Sequence, residues 1–133
     1  MLRGAKRFTL MPPSDRPWLG VAEFETGEWR RDPTTGWEVA MDSGAPRVEW
    51  IELDPADREA AQRKHPPFAA ANPIDVVVEA GDTLYIPALW YHRVQNIGPE
   101  MTIAVNHWHD MAYDPKAVYN FLVERLTPAP ASD

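Results

Sequence analysis

Cysteine is absent from this sequence of 133 residues. Its absence excludes a disulfide scaffold, a thiol nucleophile and any cysteine-ligated zinc or iron–sulfur site. Basic side chains are also outnumbered, because 13 Lys and Arg stand against 20 Asp and Glu and give a net charge of −7. That excess of negative charge disfavours nucleic acid and anionic membranes as partners.

Long apolar runs are absent too. No stretch approaches the roughly 18–20 residues that a membrane-spanning helix needs. The apolar stretch at residues 8–11 is too short for the core of a signal peptide, and Pro12 and Pro13 end it. The sequence therefore predicts neither a signal peptide nor a transmembrane segment, and a cytoplasmic and/or nuclear location.

Proline, by contrast, is abundant: 14 prolines are spread along the chain and disfavour long helices. A hydrophobic fraction of 44% is enough for the core of one domain. Alternating, β-branched and aromatic residues predict short strands, and the close spacing of the last four indicates antiparallel pairing in a sandwich or barrel. The predicted strands cover residues 6–11, 48–53, 74–79, 83–86, 90–95 and 101–109, with a hairpin of arms 29–31 and 37–41 around the turn 32–36.

Two helices are predicted from one signature, an aspartate followed by a proline, which suits an N-cap and the first helical position. The Asp-Pro pairs at 54–55 and 114–115 open helices that end near residues 64 and 126. Apolar residues of the second helix recur at i, i+3, i+4 and i+8 and form one face. The stretch 127–133 is expected to be a disordered tail.

Four histidines and one lysine are the candidates for chemistry. His65 ends the first helix, where a cation interacts favourably with the helix dipole. His92 lies in an apolar, aromatic strand, where a histidine is more often structural than ligating. His107 and His109 share one face of a strand of period two, so they either chelate a metal or face solvent together. Lys6 could point into the sheet, although the pattern alone favours a solvated lysine on an edge strand.

Three motifs, in this order and spacing, resemble the distal part of JmjC-domain oxygenases: GAKRFTLMPPSDRPWL at 4–19, GDTLYIPALWYHRVQN at 81–96 and IAVNHWHDMAYD at 103–114. With the closing helix, the resemblance extends to residue 126. It implies an incomplete double-stranded β-helix, also called a jelly roll or cupin-like fold, mainly β with a short middle helix and a C-terminal helix. It also implies Fe(II) and 2-oxoglutarate as cofactors and a protein or peptide substrate, with lysine among the candidate targets of hydroxylation.

The resemblance assigns roles to individual residues. His92 corresponds to a metal ligand, and Lys6 corresponds to the lysine that binds the distal carboxylate of 2-oxoglutarate. A compact ammonium on a stiff strand suits that carboxylate. The other residues implied at the site are Asn106 at the cofactor and Trp108, Tyr85 and Trp90 around the substrate pocket. On this assignment His107 and His109 face outward.

The sequence departs from the family in the motif that binds the metal. The family holds iron with a His-x-Asp/Glu motif and a distal histidine, and none of the four histidines here is followed at the second position by Asp or Glu. In the family that motif precedes the Gly-x-Lys strand with which this chain starts. We therefore expect a partial domain over residues 1–126 that lacks its N-terminal strands and is inactive alone.

Several explanations of this departure stay open. The chain could be part of an active enzyme, a non-catalytic cupin-like protein-binding module, or a domain completed by strands of a second chain. Another rival is a different cupin metal enzyme in which His107 and His109 point inward beside His92. An uncovered sheet favours self-association, and the apolar face of the C-terminal helix is a candidate homodimer contact.

Overall fold

The computed structural model describes residues 1–42, 44–110 and 113–126, and the chain divides into two compact units. The sheet unit comprises Met1–Gly20 and the residues from Leu53 onward, and the hairpin unit comprises Val21–Glu52. The strands are β1 (Ala5–Met11), β2 (Val21–Phe24), β3 (Gly27–Asp32), β4 (Gly36–Met41), β5 (Val48–Ile51), β6 (Ile74–Glu79) and β7 (Tyr91–Ile97). The helices are α1 (Arg58–Lys64) and α2 (Tyr113–Leu126), with 3-10 helices at Pro13–Trp18 and Pro66–Ala70.

A three-stranded antiparallel sheet in the order β6-β1-β7 is the centre of the sheet unit. The register places Lys6 of β1 opposite Val78 of β6 and Asn96 of β7. Four residues further along β1, Leu10 lies opposite His92 of β7. The predictions of a mainly β chain and of antiparallel pairing are confirmed.

The core of the sheet unit holds two buried polar side chains that are both hydrogen-bonded. The Thr9 hydroxyl donates to Oδ1 of Asp75 at 2.6 Å, and the Asn72 N–H donates to Oδ2 of Asp15 at 2.9 Å. An unpaired buried polar group costs free energy. The first bond joins β1 to β6, and the second joins the first 3-10 helix to the segment that follows the second. The apolar residues buried around them are Leu10, Met11, Leu19, Leu53, Ala61, Phe68, Ala71 and Val78.

The hairpin unit contains two separate strand pairs, β3 with β4 and β2 with β5. In the β3–β4 turn, Oδ1 of Asp32 accepts hydrogen bonds from the N–H groups of Thr34 and Thr35 at 2.7 and 2.8 Å. These donors lower the pKa of the Asp32 carboxyl, because they stabilise its charged form. Gly36 closes the turn with φ of +91°, a conformation that favours glycine. The predicted hairpin is confirmed, and its arms are longer than the pattern indicated.

Two predicted strands are wrong. Residues 83–86 follow a turn in which Asp82 binds the Glu79 N–H, and they form no strand. Residues 101–109 make one isolated antiparallel bridge, between Ile103 and Arg3. A strand needs a neighbouring strand as well as a suitable pattern, and within the described ranges neither segment is paired along its length. Strands β6 and β7 pair with β1, which lies between them, and not with each other.

The first helix begins later than predicted. Asp54 starts a turn, in which its carboxylate accepts the Ala56 N–H at 2.9 Å, rather than the helix itself. Asp57 caps the helix instead, accepting the Ala60 N–H at 3.0 Å. The Asp-Pro pair therefore marks a turn that leads into α1 at Arg58.

The second helix forms where it was predicted, and α2 begins at Tyr113, so that Asp114 lies inside it. The apolar residues Val118 and Phe121 are exposed on its surface. The predicted tail at 127–133 lies outside the described residues. In the described part of the chain, no helix is both long and apolar enough to cross a membrane.

Candidate functional site

Lys6 occupies an unusual place for a lysine, because it lies in the central strand of the sheet. The expectation that the sequence pattern alone favoured, an edge-strand lysine, is therefore wrong: β1 has β6 on one side and β7 on the other. The Lys6 side chain is half-buried. Among the described residues, no carboxylate forms an ion pair with its ammonium. A half-buried cation without a counter-charge is a candidate binding group for an anion.

His92 is the second residue of β7 and is exposed. The strand follows a turn in which Leu89 has φ of +68°, an uncommon conformation for a residue with a side chain. Nδ1 of His92 lies 3.5 Å from the carbonyl oxygen of Trp90. A ring protonated on Nδ1 would direct that proton at this oxygen and leave Nε2 unprotonated.

Lys6 and His92 lie on the same face of the sheet. Directly opposed residues of antiparallel strands share a face, and residues two apart along a strand do so as well. The pairs Lys6–Asn96 and Leu10–His92 therefore place both side chains on one side, together with Phe8. Their positions are four residues apart, roughly 13 Å along the strand direction at the usual rise per residue.

The residue predicted at the cofactor, Asn106, and the three predicted around the substrate are not gathered on this face by any described strand. Tyr85 and Trp108 are 78% and 86% exposed, and Asn106 is exposed as well. Trp90 is half-buried and directly precedes β7. The roles of these four residues stay predictions. The alternation that separated Asn106 from its histidine neighbours assumed a strand at 101–109, which the structure reduces to a single bridge.

The described residues do not provide a complete metal site. No group of three or more His, Asp or Glu side chains in this part of the chain is close enough to hold a metal ion. His92, His107 and His109 are all described and do not form such a group. For Fe(II) the residues present supply at most one of the expected ligands, so they do not fit the ion. For a carboxylate, the ammonium of Lys6 fits.

Comparison with known proteins places these residues in a family. The family model described as "Cupin-like domain" matches residues 1–115. Human bifunctional peptidase and (3S)-lysyl hydroxylase JMJD7 is 35% identical over 133 residues, which is 100% of this chain and 41% of that protein. JmjC domain-containing protein E of Dictyostelium discoideum is 35% identical over 93% of this chain and 39% of its own length.

A plant protein is similar to this chain over a comparable range. Lysine-specific demethylase JMJ32 of Arabidopsis thaliana is 33% identical over 95% of this chain and 39% of its own length. The chain thus spans about 40% of the length of these curated relatives. The predicted resemblance and the predicted mainly β, cupin-like fold class are confirmed. The chain belongs to the cupin-like JmjC family.

Proposed function

We propose that this chain is the distal part of a JmjC-type, 2-oxoglutarate- and Fe(II)-dependent protein hydroxylase domain. One observation carries the proposal: Lys6 and His92 share a face of the same sheet, with Lys6 in its central strand. In this proposal Lys6 binds the distal carboxylate of 2-oxoglutarate and His92 is a metal ligand. Asn106 contacts the cofactor, and Trp108, Tyr85 and Trp90 line the substrate pocket.

The relatives support the reaction class and the kind of substrate. One is named a lysyl hydroxylase and another a lysine-specific demethylase. JmjC proteins generally use Fe(II) and 2-oxoglutarate, and the bound metal then supplies the oxidation chemistry. For this chain we propose a protein or peptide substrate with lysine as the target side chain.

Lys6 would act by binding and orienting the cosubstrate. A lysine ammonium makes short, charge-assisted hydrogen bonds to a carboxylate. Partial burial strengthens such a bond relative to water, because the local dielectric constant is lower. The absence of a competing carboxylate partner among the described residues leaves the ammonium available for a ligand.

We propose further that the 133 residues alone are inactive. Fe(II) in a facial triad needs two histidines and a carboxylate, whereas this site offers His92 alone. A single imidazole does not hold the ion against water. The remaining ligands would have to come from residues other than those that the structure describes, in another segment or a second chain.

The alternative function is a non-catalytic cupin-like binding module. The lack of a His-x-Asp/Glu motif and of a ligand cluster in the described residues favours it. The two functions predict different behaviour of Lys6. In the hydroxylase Lys6 binds a carboxylate, whereas a module that binds only protein does not need this interaction.

The test is an NMR titration of the 133-residue chain with 2-oxoglutarate. We expect binding with a Kd of about 1 mM or weaker, with chemical-shift changes centred on β1 and β7. Lys6→Met should abolish these changes. Arg7→Met is the matched control, because Arg7 is the next residue of β1, lies on the opposite face and is exposed. Shifts that persist in Lys6→Met, or no binding at all, would contradict the role of Lys6.

A calorimetric titration with Mn(II) in the presence of 2-oxoglutarate tests the second part of the proposal. We expect no binding in the micromolar range. Micromolar binding would contradict the incomplete site, and its loss in His109→Gln but not His92→Gln would favour the rival metal site. Co-expression with a JmjC segment that carries His-x-Asp should restore metal binding through His92, and the binding-module alternative predicts no such gain.

A further inference from the structure

We infer that the two residues flanking His92 are positioning residues for it. Asp54 holds Arg93 in place, and Arg16 holds Tyr91 in place. Both contacts lie on the face of the sheet opposite to His92. The inference rests on the proposed function only in taking His92 as the ligand. It concerns how the fold holds the ring, which can be observed without metal or cosubstrate.

Arg93 is held through all three nitrogens of its guanidinium group. Nε lies 2.7 Å from Oδ1 of Asp54, Nη2 donates to Oδ2 of the same carboxylate at 3.1 Å, and Nη1 donates to Oε1 of Gln95 at 2.9 Å. Such a two-pronged pair fixes direction as well as distance. The surface pair Arg63–Glu59 is looser, because its atoms are 3.7 Å apart and its side chains are 71% and 89% exposed.

Tyr91 is held from a second, independent segment. Its hydroxyl accepts a hydrogen bond from Nη1 of Arg16 at 3.0 Å, and this contact is partly buried. Arg16 lies in the 3-10 helix Pro13–Trp18, whereas Asp54 lies in the turn before α1. Two segments that are 75 and 39 residues away along the chain therefore fix the positions on either side of His92.

The start of β7 needs this support. Among the described strands β7 pairs with β1 alone, so its other edge carries no strand. Tyr91 is its first residue, and the preceding turn contains Leu89 in the left-handed region. Strand ends with one neighbour open more readily than central positions. An unanchored His92, as the second residue, would move with that end.

The anchors decide which ring nitrogen His92 presents. With the backbone fixed at Tyr91 and Arg93, Nδ1 stays near the Trp90 carbonyl and Nε2 points away from it. A ligand that is already oriented loses less conformational entropy on binding. The sheet then presents Nε2 on the face that carries Lys6.

The experiment is nitrogen NMR of the imidazole rings in the metal-free chain, with His92 assigned through His92→Gln. We expect a His92 ring with its proton on Nδ1 in the unaltered chain. Arg93→Ala should shift the ring signals toward those of a free imidazole that exchanges between both tautomers. It should also speed amide exchange in β7 by about two- to tenfold, since a two-pronged ion pair with a half-exposed carboxylate is lost.

Milder variants keep the test decisive if Arg93→Ala unfolds. Tyr91→Phe removes only the hydroxyl contact and should cause a smaller shift in the same direction. Arg93→Lys should recover only part of the original signal, because one ammonium cannot replace the two-pronged pair. Arg63→Ala is the control for loss of a surface ion pair and should leave His92 unchanged.

The inference is overturned if His92 keeps its tautomer and β7 keeps its exchange rates in folded Arg93→Lys and Tyr91→Phe. It is also overturned if Arg63→Ala changes the ring as much as they do. Neither result bears on 2-oxoglutarate binding at Lys6. A failed titration with 2-oxoglutarate would, in turn, leave the ring measurement intact.

Discussion

The Thr9 hydroxyl donates a 2.6 Å hydrogen bond to the Asp75 carboxylate, on the face of the sheet opposite to Lys6 and His92. Thr9 is 1% exposed, so its hydroxyl has little access to water. The bond joins β1 to β6 beside the Leu10–His92 register position. The strand that carries Lys6 is thus held to β6 by a buried side-chain bond as well as by its backbone ladder.

Thr9→Val should therefore lower the free energy of unfolding by about 1.5–3 kcal/mol, the usual loss for a bond to a charged group. The substitution keeps the shape of the side chain and removes only the donor. Chemical denaturation at neutral pH measures the change. Thr102→Val is the control, because the Thr102 hydroxyl is buried and has no partner among the described residues. Equal losses in both variants would contradict a stabilising Thr9–Asp75 bond.

Gly4, two residues before Lys6, should not tolerate a side chain. Its φ is +71°, and an added Cβ would lie 2.9 Å from Oγ1 of Thr102 and 3.1 Å from the Met101 carbonyl oxygen. We expect Gly4→Ala to cost about 2–4 kcal/mol, since left-handed strain adds to a clash with backbone atoms.

Gly81→Ala separates these two contributions. Gly81 has φ of +97°, and an added Cβ would meet nothing within 4 Å. Its cost should be limited to the strain of about 1–2 kcal/mol. Thermal unfolding of both variants provides the comparison, and a Gly4→Ala loss no larger than that of Gly81→Ala would show that the contact with the 101–102 segment is unimportant.

Local patterns predicted the elements of this fold better than their pairing. Alternation located β1, β6 and β7, and the Asp-Pro-x-x-Gly turn located the β3–β4 hairpin, because each signal lies within a few neighbouring residues. The order β6-β1-β7 depends on residue pairs that are 64 (Leu10–Ile74) to 92 (Ala5–Ile97) positions apart along the chain, which alternation does not encode. For the same reason, the pattern at 101–109 predicted a strand where the described structure has one bridge.

The candidate site shows the same contrast between local sequence patterns and long-range contacts. The motifs made Lys6 and His92 candidate site residues, whereas their shared face followed only from the register. Sequence patterns do not reveal the partners that hold the start of β7, because the Asp-Pro pair at 54–55 predicts a helix cap at Asp54 and no local pattern connects Arg16 with Tyr91. One signal was available: in the run Tyr91-His92-Arg93, strand alternation places the flanking side chains opposite to the histidine.

The Asp32 turn gives a prediction of pH dependence. Hydrogen bonds from the N–H groups of Thr35 and Thr34 lower the pKa of the Asp32 carboxyl in the folded chain. A carboxyl with a lowered folded pKa contributes stability above its unfolded pKa of about 3.9 and loses it as pH falls through the folded value. We expect the β3–β4 turn to loosen only below pH of about 4.

Amide shifts of Thr34 and Thr35, followed by NMR between neutral and acidic pH, report this titration. Asp32→Asn should remove the step from both amides, because the amide side chain does not titrate in this range. A midpoint at or above the ordinary value of about 3.9 would contradict the stabilised carboxylate.

We expect Lys6 to lower the free energy of unfolding of the ligand-free chain, and a bound ligand to restore that loss. A half-buried ammonium in a central strand, beside Phe8 and opposite Val78, loses hydration without gaining an acidic partner among the described residues. Lys6→Met keeps the length of the side chain and removes the charge. We expect it to raise the free energy of unfolding by about 0.5–1 kcal/mol, as is common where a binding group is replaced by an apolar one. Arg7→Met, at the exposed neighbouring position, should give no comparable gain.

Saturating 2-oxoglutarate should raise the melting temperature of the unaltered chain and of Arg7→Met but leave that of Lys6→Met unchanged. If Lys6→Met were less stable than the unaltered chain in the absence of ligand, Lys6 would be a structural residue of the sheet, and its proposed role as an anion anchor would lose its physical basis.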